Sequence, residues 1–395
     1  MKDLIIKTEE SLGNKSEEIL EYITEHPEVG GKEYIAANYL STLLKEYGFD
    51  VETNYKNFPT AFYASLKNGN GPKVGFLAKY DALPNFDENG NDAHGCGHNW
   101  IASVFSGVGM VLSKMKENFS GELVIIGLPS EVPYGEKILP LTDENWKTFD
   151  AVFATHLNGK SVFHSFPLTI NTLEFEYFGK SSHAFSYPEK GINALDALLN
   201  SITKMKEIPL AEKERISINI CDGGKSTEKV PDYTRMRVAV GGPTKKQADT
   251  LANKVTKIVN EESQKLNVTC NSKLYNEFYD LNKIPELYTL MAEAFDTFEE
   301  EYLVYPEERV GTALDISPVG YLCPMIYMFF GVENWTSHQP SVQRIAASHS
   351  EHAKKMMHKA IQIFTYCALK VFNDNEFTQQ LKQSFQESIN KYNLS

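Results

Sequence analysis

The 395-residue sequence predicts an α/β protein: a mostly parallel-sheet domain with helices on both faces, interrupted by a ferredoxin-like βαββαβ module. Three observations predict it. Apolar runs of strand length alternate with helical patterns in the first part of the chain. From about residue 167 to 282 the order becomes strand, helix, strand, strand, helix, strand. The first kind of alternation then resumes. These changes of pattern set expected boundaries of 1–166 and 283–395 for the first domain and 167–282 for the inserted one.

Taken in order, "KSEEILEYITEH" (15–26) and "EYIAANYLSTLLKEYG" (33–48) carry apolar residues at helical spacing, and the second stops at Gly48. "KVGFLAKY" (73–80), "GELVIIGLP" (121–129) and "AVFATH" (151–156) are strand-like, with the helix "NWIASVFSGVGMVLSKMKENF" (99–119) between the first two. In the insert, "LTINTLEFEYFG", "ERISINICDGG", "YTRMRVAVGG" and "NVTCNSKLY" read as strands. "INALDALLNSITKMKEI" and "TKKQADTLANKVTKIVNEESQKL" read as its two helices. A helix over 284–298, an apolar strand near 326 and one long helix from about 347 complete the chain.

A sheet of this kind gathers ligands at the carboxyl ends of its strands, which places Asp81, Glu131 and His156 on one rim. The composition narrows the ligand. A formal net charge of -13 argues against a phosphate backbone or an anionic membrane surface, so neither nucleic acid nor membrane is an expected partner. The first residues lack the apolar core of a signal peptide, which gives a cytoplasmic expectation. The five cysteines, at 96, 221, 270, 323 and 367, do not form a disulfide framework.

Several chemistries drop out on motif grounds. No G-x-S-x-G occurs, "GGKST" (223–227) lacks the upstream glycine of a P-loop, and "SGVGMVL" lacks the third glycine of a dinucleotide fingerprint. The distinctive stretch is "DAHGCGHN" (92–99). Alone, it also reads as a glycine-rich loop with exposed histidines and a buried cysteine. A zinc-type site needs about four N, S or O donors, so further ones must come from elsewhere. Glu131, His156 and His338, in "TSHQP", stand where an α/β sheet collects them.

"HPEVGGKEYIAANYLSTLLKEYGFDVE", "YDALP", "HGCGHN", "LPSE", "THLNG", "FGKSSHAFSYPEKGINALDALL", "GGKSTEKVPD" and "SHQPSVQRIAA" occur in one order and spacing. From about residue 16 to 365 the chain thereby resembles the M20 metallopeptidase superfamily. The likeness is to its amidohydrolase branch of aminoacylases, auxin-conjugate hydrolases and aminobenzoyl-glutamate hydrolase subunits. The resemblance implies a catalytic α/β domain, an inserted lid that also forms a homodimer, and hydrolysis of an amide bond in a small molecule with divalent metal, Zn or Mn. It makes Cys96 a bridging thiolate, His98 and His156 ligands of one metal, and His338 a ligand of the other. Glu131 matches the general base, against the plainer reading of a carboxylate at a helix start. His183 matches a lid histidine that reaches the neighbouring subunit's site and donates to the oxyanion. His94 is in the motif but is not a ligand in the family.

The chain departs from that pattern at three places. Val132 stands where the family places a ligating Glu, and an isopropyl group coordinates nothing; Glu136 is a nearby carboxylate. The expectation is one firm metal with the second weak or absent, hence one or two ions per chain. Glu228 replaces an Asn, and Gly241 a strand Arg, that help hold a substrate carboxylate or the scissile carbonyl. That exchange favours a substrate neutral or positively charged near the pocket over an ordinary N-acyl amino acid. The expected activity is metal-dependent hydrolysis of an N-acyl amino acid, dipeptide-like or related conjugate. The alternative is a catalytically inactive protein of the same family that binds a small molecule or serves structurally.

Overall fold

The computed structural model describes residues 1–129, 144–163, 168–304, 314–335 and 341–393. Helices α1 (Lys2–Glu10), α2 (Lys15–Glu25) and α3 (Tyr34–Glu46) lead into strands β1 (Asp50–Thr53), β2 (Phe62–Asn68) and β3 (Lys73–Lys79). Helix α4 (His98–Lys114) and strands β4 (Gly121–Leu128) and β5 (Ala151–Asn158) follow. Next come β6 (Thr169–Phe178), α5 (Ala194–Met205), β7 (Arg215–Asp222), β8 (Tyr233–Gly242), α6 (Lys245–Lys265) and β9 (Thr269–Phe278). The chain closes with α7 (Pro285–Thr297), β10 (Met325–Gly331), α8 (Ser341–Ser348), α9 (Glu351–Asn373) and α10 (Asn375–Asn393). Two compact units result, one from Met1–Ser165, Leu281–Arg309 and Pro318–Ser395, the other from Phe166–Asp280 and Val310–Ser317.

The sheet of the first unit runs β1-β2-β4-β3-β5-β10. Strands β4, β3, β5 and β10 are mutually parallel, whereas β1 pairs antiparallel with β2 and β2 with β4. The chain steps from β3 to β4 on one side and then returns to β5 on the other. The carboxyl ends of β3 and β5 therefore flank a reversal of strand order, where open α/β sheets form their ligand crevice. Helix α4 is buried along its length from His98 to Leu112, as a helix apolar on every side must be. Phe76 of β3, Phe153 of β5, Phe105 of α4 and Phe364 of α9 stack into the core beside it. The other sheet face is buried too. Leu77, Val124, Ile126 and Val152 are closed off, and a Cβ on Gly75 would lie 2.7 Å from the Phe149 ring.

Three parts of this unit differ from the sequence expectation. Strands β1 and β2 add an antiparallel edge that the apolar pattern did not announce. β1 is four mostly exposed residues, and β2 interleaves Phe62, Ala64 and Leu66 with half-buried Tyr63 and Ser65. Helix α1 is a further addition. The single long helix expected from about 347 is instead α8, α9 and α10. The Ser350 hydroxyl accepts from the Ala353 N–H to cap α9, and the Asp374 carboxylate accepts from the Phe377 N–H at the start of α10.

The second unit has the sheet β7-β8-β6-β9, antiparallel throughout, which is the strand order of a ferredoxin-like module. Phe175 and Tyr177 of β6 and Met236, Val238 and Val240 of β8 form its own core with Leu198 of α5 and Val255 of α6. Asn193 and Thr244 cap the two helices, their side-chain oxygens accepting from the Leu195 and Gln247 N–H groups.

Candidate metal centre

Asp81 follows β3, His156 lies near the end of β5, and the loop between Asp81 and α4 carries Cys96. That loop is shaped by its glycines. Gly97 has φ +79°, a left-handed conformation that suits glycine, and a Cβ there would come within 2.7 Å of Leu157 and 3.2 Å of Trp335. A Cβ on Gly95 would run into the Phe86 ring. The loop thus delivers Cys96 against the sheet and starts α4 at His98 itself.

The result is a cluster. One donor atom each from Cys96, His98 and His156 lies within 4.8 Å of the other two, and among the described residues no other group of Cys, His, Asp and Glu does the same. His98 is buried and the other two are half-buried. The rings of His98 and His156 stand edge to face at 5.7 Å and 90°. His98 Nδ1 lies 2.8 Å from Asp81 Oδ1, and His156 Nδ1 lies 2.8 Å from the Leu157 carbonyl oxygen. Each acceptor fixes the proton on Nδ1, so Nε2 carries the lone pair. A histidine oriented by a carboxylate or carbonyl on its other nitrogen is the usual support of a metal ligand.

The donor set fits a divalent ion. Tetrahedral zinc at its ordinary bond lengths separates donors by roughly 3.5 Å, and a thiolate with two imidazoles suits a borderline metal with a fourth position open. His94, the other histidine of the motif, is buried, and burial first and His98 second push its pKa down to about 4. It stays neutral and packs.

Two side chains at this place have roles that the sequence does not announce. Asp81 was expected on the rim but not as the partner of His98. Its position just after a strand was the available signal. Arg344, on α8, brings Nη2 to 3.7 Å from Cys96 Sγ, with its guanidinium 5.2 Å from the Trp335 ring. It lies in the quoted stretch "SHQPSVQRIAA", where the resemblance gave a role to His338 alone.

Glu131, Val132, Glu136 and His338 lie outside the described residues. His183 belongs to the second unit and is exposed. Its Nδ1 accepts from the N–H groups of Phe185 at 3.3 Å and Ser186 at 3.2 Å, which leaves the ring proton on Nε2 as an outward donor. His183 bridges to Lys229, and the Ala184 N–H donates to the Glu228 carbonyl at 2.9 Å, so Glu228 stands across from the His183 turn. Gly241, on β8, has no steric need to be glycine, since a Cβ would meet nothing closer than 3.7 Å.

Residues 169–267 match the family model of the peptidase dimerisation domain. Over 208 residues the chain is 29% identical to the Xaa-Arg dipeptidase of Mus musculus, covering 50% of this chain and 47% of that protein. Over 258 residues it is 26% identical to a p-aminobenzoyl-glutamate hydrolase subunit of Escherichia coli K12, covering 61% of this chain and 53% of that one. The chain thus spans about half the length of these relatives. A dinuclear metal-binding M20 peptidase of Bacillus subtilis shares its fold, with a TM-score of 0.69 at 16% identity over 93% of this chain and 99% of the other.

Proposed function

Because this chain belongs to the M20 metallopeptidase superfamily, we propose that it is a metal-dependent amidohydrolase acting on a small dipeptide-like amide. The observation that carries this reading is the convergence of Cys96, His98 and His156 at the carboxyl ends of β3 and β5, with Asp81 and the Leu157 carbonyl orienting the two imidazoles. In this reading Cys96, His98 and His156 hold one ion, and His338 is a donor for the other metal position. A divalent ion bound there, Zn or Mn, polarises a carbonyl and lowers the pKa of water toward about 7.

The chain's own groups do the rest. Glu131 takes a proton from the attacking water and returns it to the departing amine. His183 donates from Nε2, the nitrogen to which its turn confines the proton, to the oxyanion of the tetrahedral species. The inserted unit carries that histidine and pairs two copies of the chain into a homodimer.

The substrate reading follows from Glu228 and Gly241. An acidic residue whose backbone pairs with the His183 turn, and no cation at 241, favour a positively charged or neutral group near the scissile bond. Relatives named for Xaa-Arg dipeptides agree with a cationic residue in the substrate. The test is hydrolysis of a panel of dipeptides ending in Arg or Lys, their C-terminal amides, and N-acetyl amino acids, by metal-loaded protein. The cationic members should turn over fastest. Removing the ion with a chelator should abolish turnover, and Glu131→Gln should lower kcat by about 10² to 10⁴. Metal-loaded chain that turns over none of the panel, or an E131Q variant as active as the parent, sinks the reading.

A further inference from the structure

The Arg344 guanidinium sits against the centre with unusual company. Nη2 is 3.7 Å from Cys96 Sγ, and the group lies 5.2 Å from the Trp335 ring and 5.9 Å from that of Phe86. Its Nε is buried with no hydrogen-bond partner, and no carboxylate pairs with it among the described residues. An Arg taken partly out of water ordinarily faces an acidic group. Among the described residues, the one hydrogen-bond acceptor it meets is a sulfur.

The packing that holds Arg344 is the packing that holds the cluster. Trp335 also stands 6.4 Å from the His156 ring and presses on the position of Gly97. The side chain is therefore pinned beside Cys96 by rings that belong to the site.

Resting on the metal-centre reading above, we propose that Arg344 is the second cation of this centre. Its Nη2 donor, 3.7 Å from Sγ, competes for the sulfur lone pairs that a bridging thiolate would offer to a second ion, so the chain binds one divalent ion. The charge argument is short. An ion bridging the sulfur would sit about 2.3 Å from Sγ, within a few ångströms of a fixed positive charge whose repulsion the half-buried site screens poorly. Guanidinium and thiolate instead make a charge-assisted pair, and Arg stays charged under all ordinary conditions. Independently, Val132 stands where the family resemblance expects a carboxylate ligand for that second ion. One position withholds a negative ligand and another supplies a positive charge.

The test counts ions in the full chain without substrate. Protein stripped of metal is titrated with Co(II), following the thiolate-to-cobalt absorption and confirming the count by elemental analysis. The parent and Arg344→Lys, which keeps the charge, should each saturate at one ion. The uncharged variants Arg344→Met and Arg344→Gln should take up a second at excess cobalt, doubling the count; circular dichroism shows that each variant is folded. Two ions in the parent, or the same one-step titration in all four proteins, overturns the proposal. A parent that binds one ion but hydrolyses nothing leaves it standing and sinks only the hydrolase reading, while a parent that binds none overturns both.

Discussion

Asp81 shows how much a single carboxylate contributes beyond its own charge. It is buried at the end of β3 and fixes the tautomer and direction of the His98 ring from 2.8 Å. Replacing Asp81 with Ala should weaken metal binding by about 10- to 100-fold, the usual effect of removing such a support, read by competition with a chromogenic chelator. An unchanged affinity would mean that packing alone orients His98. Gly97 makes a different demand. Gly97→Ala places a Cβ at positive φ and against Leu157 and Trp335, so it should destabilise the first unit by about 1–2 kcal/mol from the backbone alone, with the clash adding to that. Denaturant unfolding measures it.

The cluster itself was legible because each member announces itself locally. Cys96 and His98 lie in one glycine-spaced motif, and His156 ends an apolar strand. Arg344 was not legible. Its contact with Cys96 spans 248 positions and depends on where α8 begins after β10, which no local pattern encodes. The pairing of Asp81 with His98 lay between these extremes, since the strand end was visible and the rotamer was not.

Helices α1, α2 and α9 are tied by one histidine. His358 on α9 presents Nδ1 to the buried Glu9 of α1 and Nε2 to Glu17 of α2 at 3.2 Å. The Gln362 amide also donates to Glu9 at 3.2 Å. The hydrogen bond to Glu9 raises the His358 pKa, outweighing burial. A pKa raised on folding gives stability that is full below the unfolded value of about 6.5 and fades as pH rises through the folded value. The denaturant midpoint should therefore fall between pH 6 and pH 8.5, and His358→Gln should flatten that dependence. A variant that keeps the full slope would assign it to other groups.

The same part of the chain shows why one element was read too long. Its apolar spacing continues across 349–350 and 374, so periodicity alone sees one helix. The breaks are made by Ser350 and Asp374, whose side chains satisfy N–H groups of the next helix. Ser350→Ala should cost about 1 kcal/mol, measured by thermal unfolding. Strands β1 and β2 escaped notice for a related reason. Edge strand β1 is four mostly exposed residues and leaves no pattern of period two, while β2 does alternate but is half-buried on its second face, which blurs the contrast.

The inserted unit has a core of its own, two capped helices and a sheet whose strands are all supplied from within it. A fragment spanning 166–280 should therefore unfold as a single cooperative transition, checked by calorimetry. Its composition was readable from the βαββαβ succession of patterns, whereas the pairings of β6 with β8 and β9 join strands that are not consecutive in the sequence. A peptidase dimerisation domain over 169–267 also predicts that the full chain sediments at twice the chain mass. A monomer at micromolar concentration would leave His183 without the neighbouring protomer that its proposed role as oxyanion donor requires.

Strand β10 pairs in parallel with β5, with Phe329 beside His156, although the whole second unit lies between them in the chain. During synthesis, then, the ribosome releases a complete insert while the first unit still lacks its last strand. Until β10 arrives, the open side of β5, with Val152, Phe153 and Ala154, has no permanent neighbour. The nascent chain must shelter a sticky edge for the time it takes to translate more than a hundred codons, and chaperone demand should end abruptly when that late strand emerges.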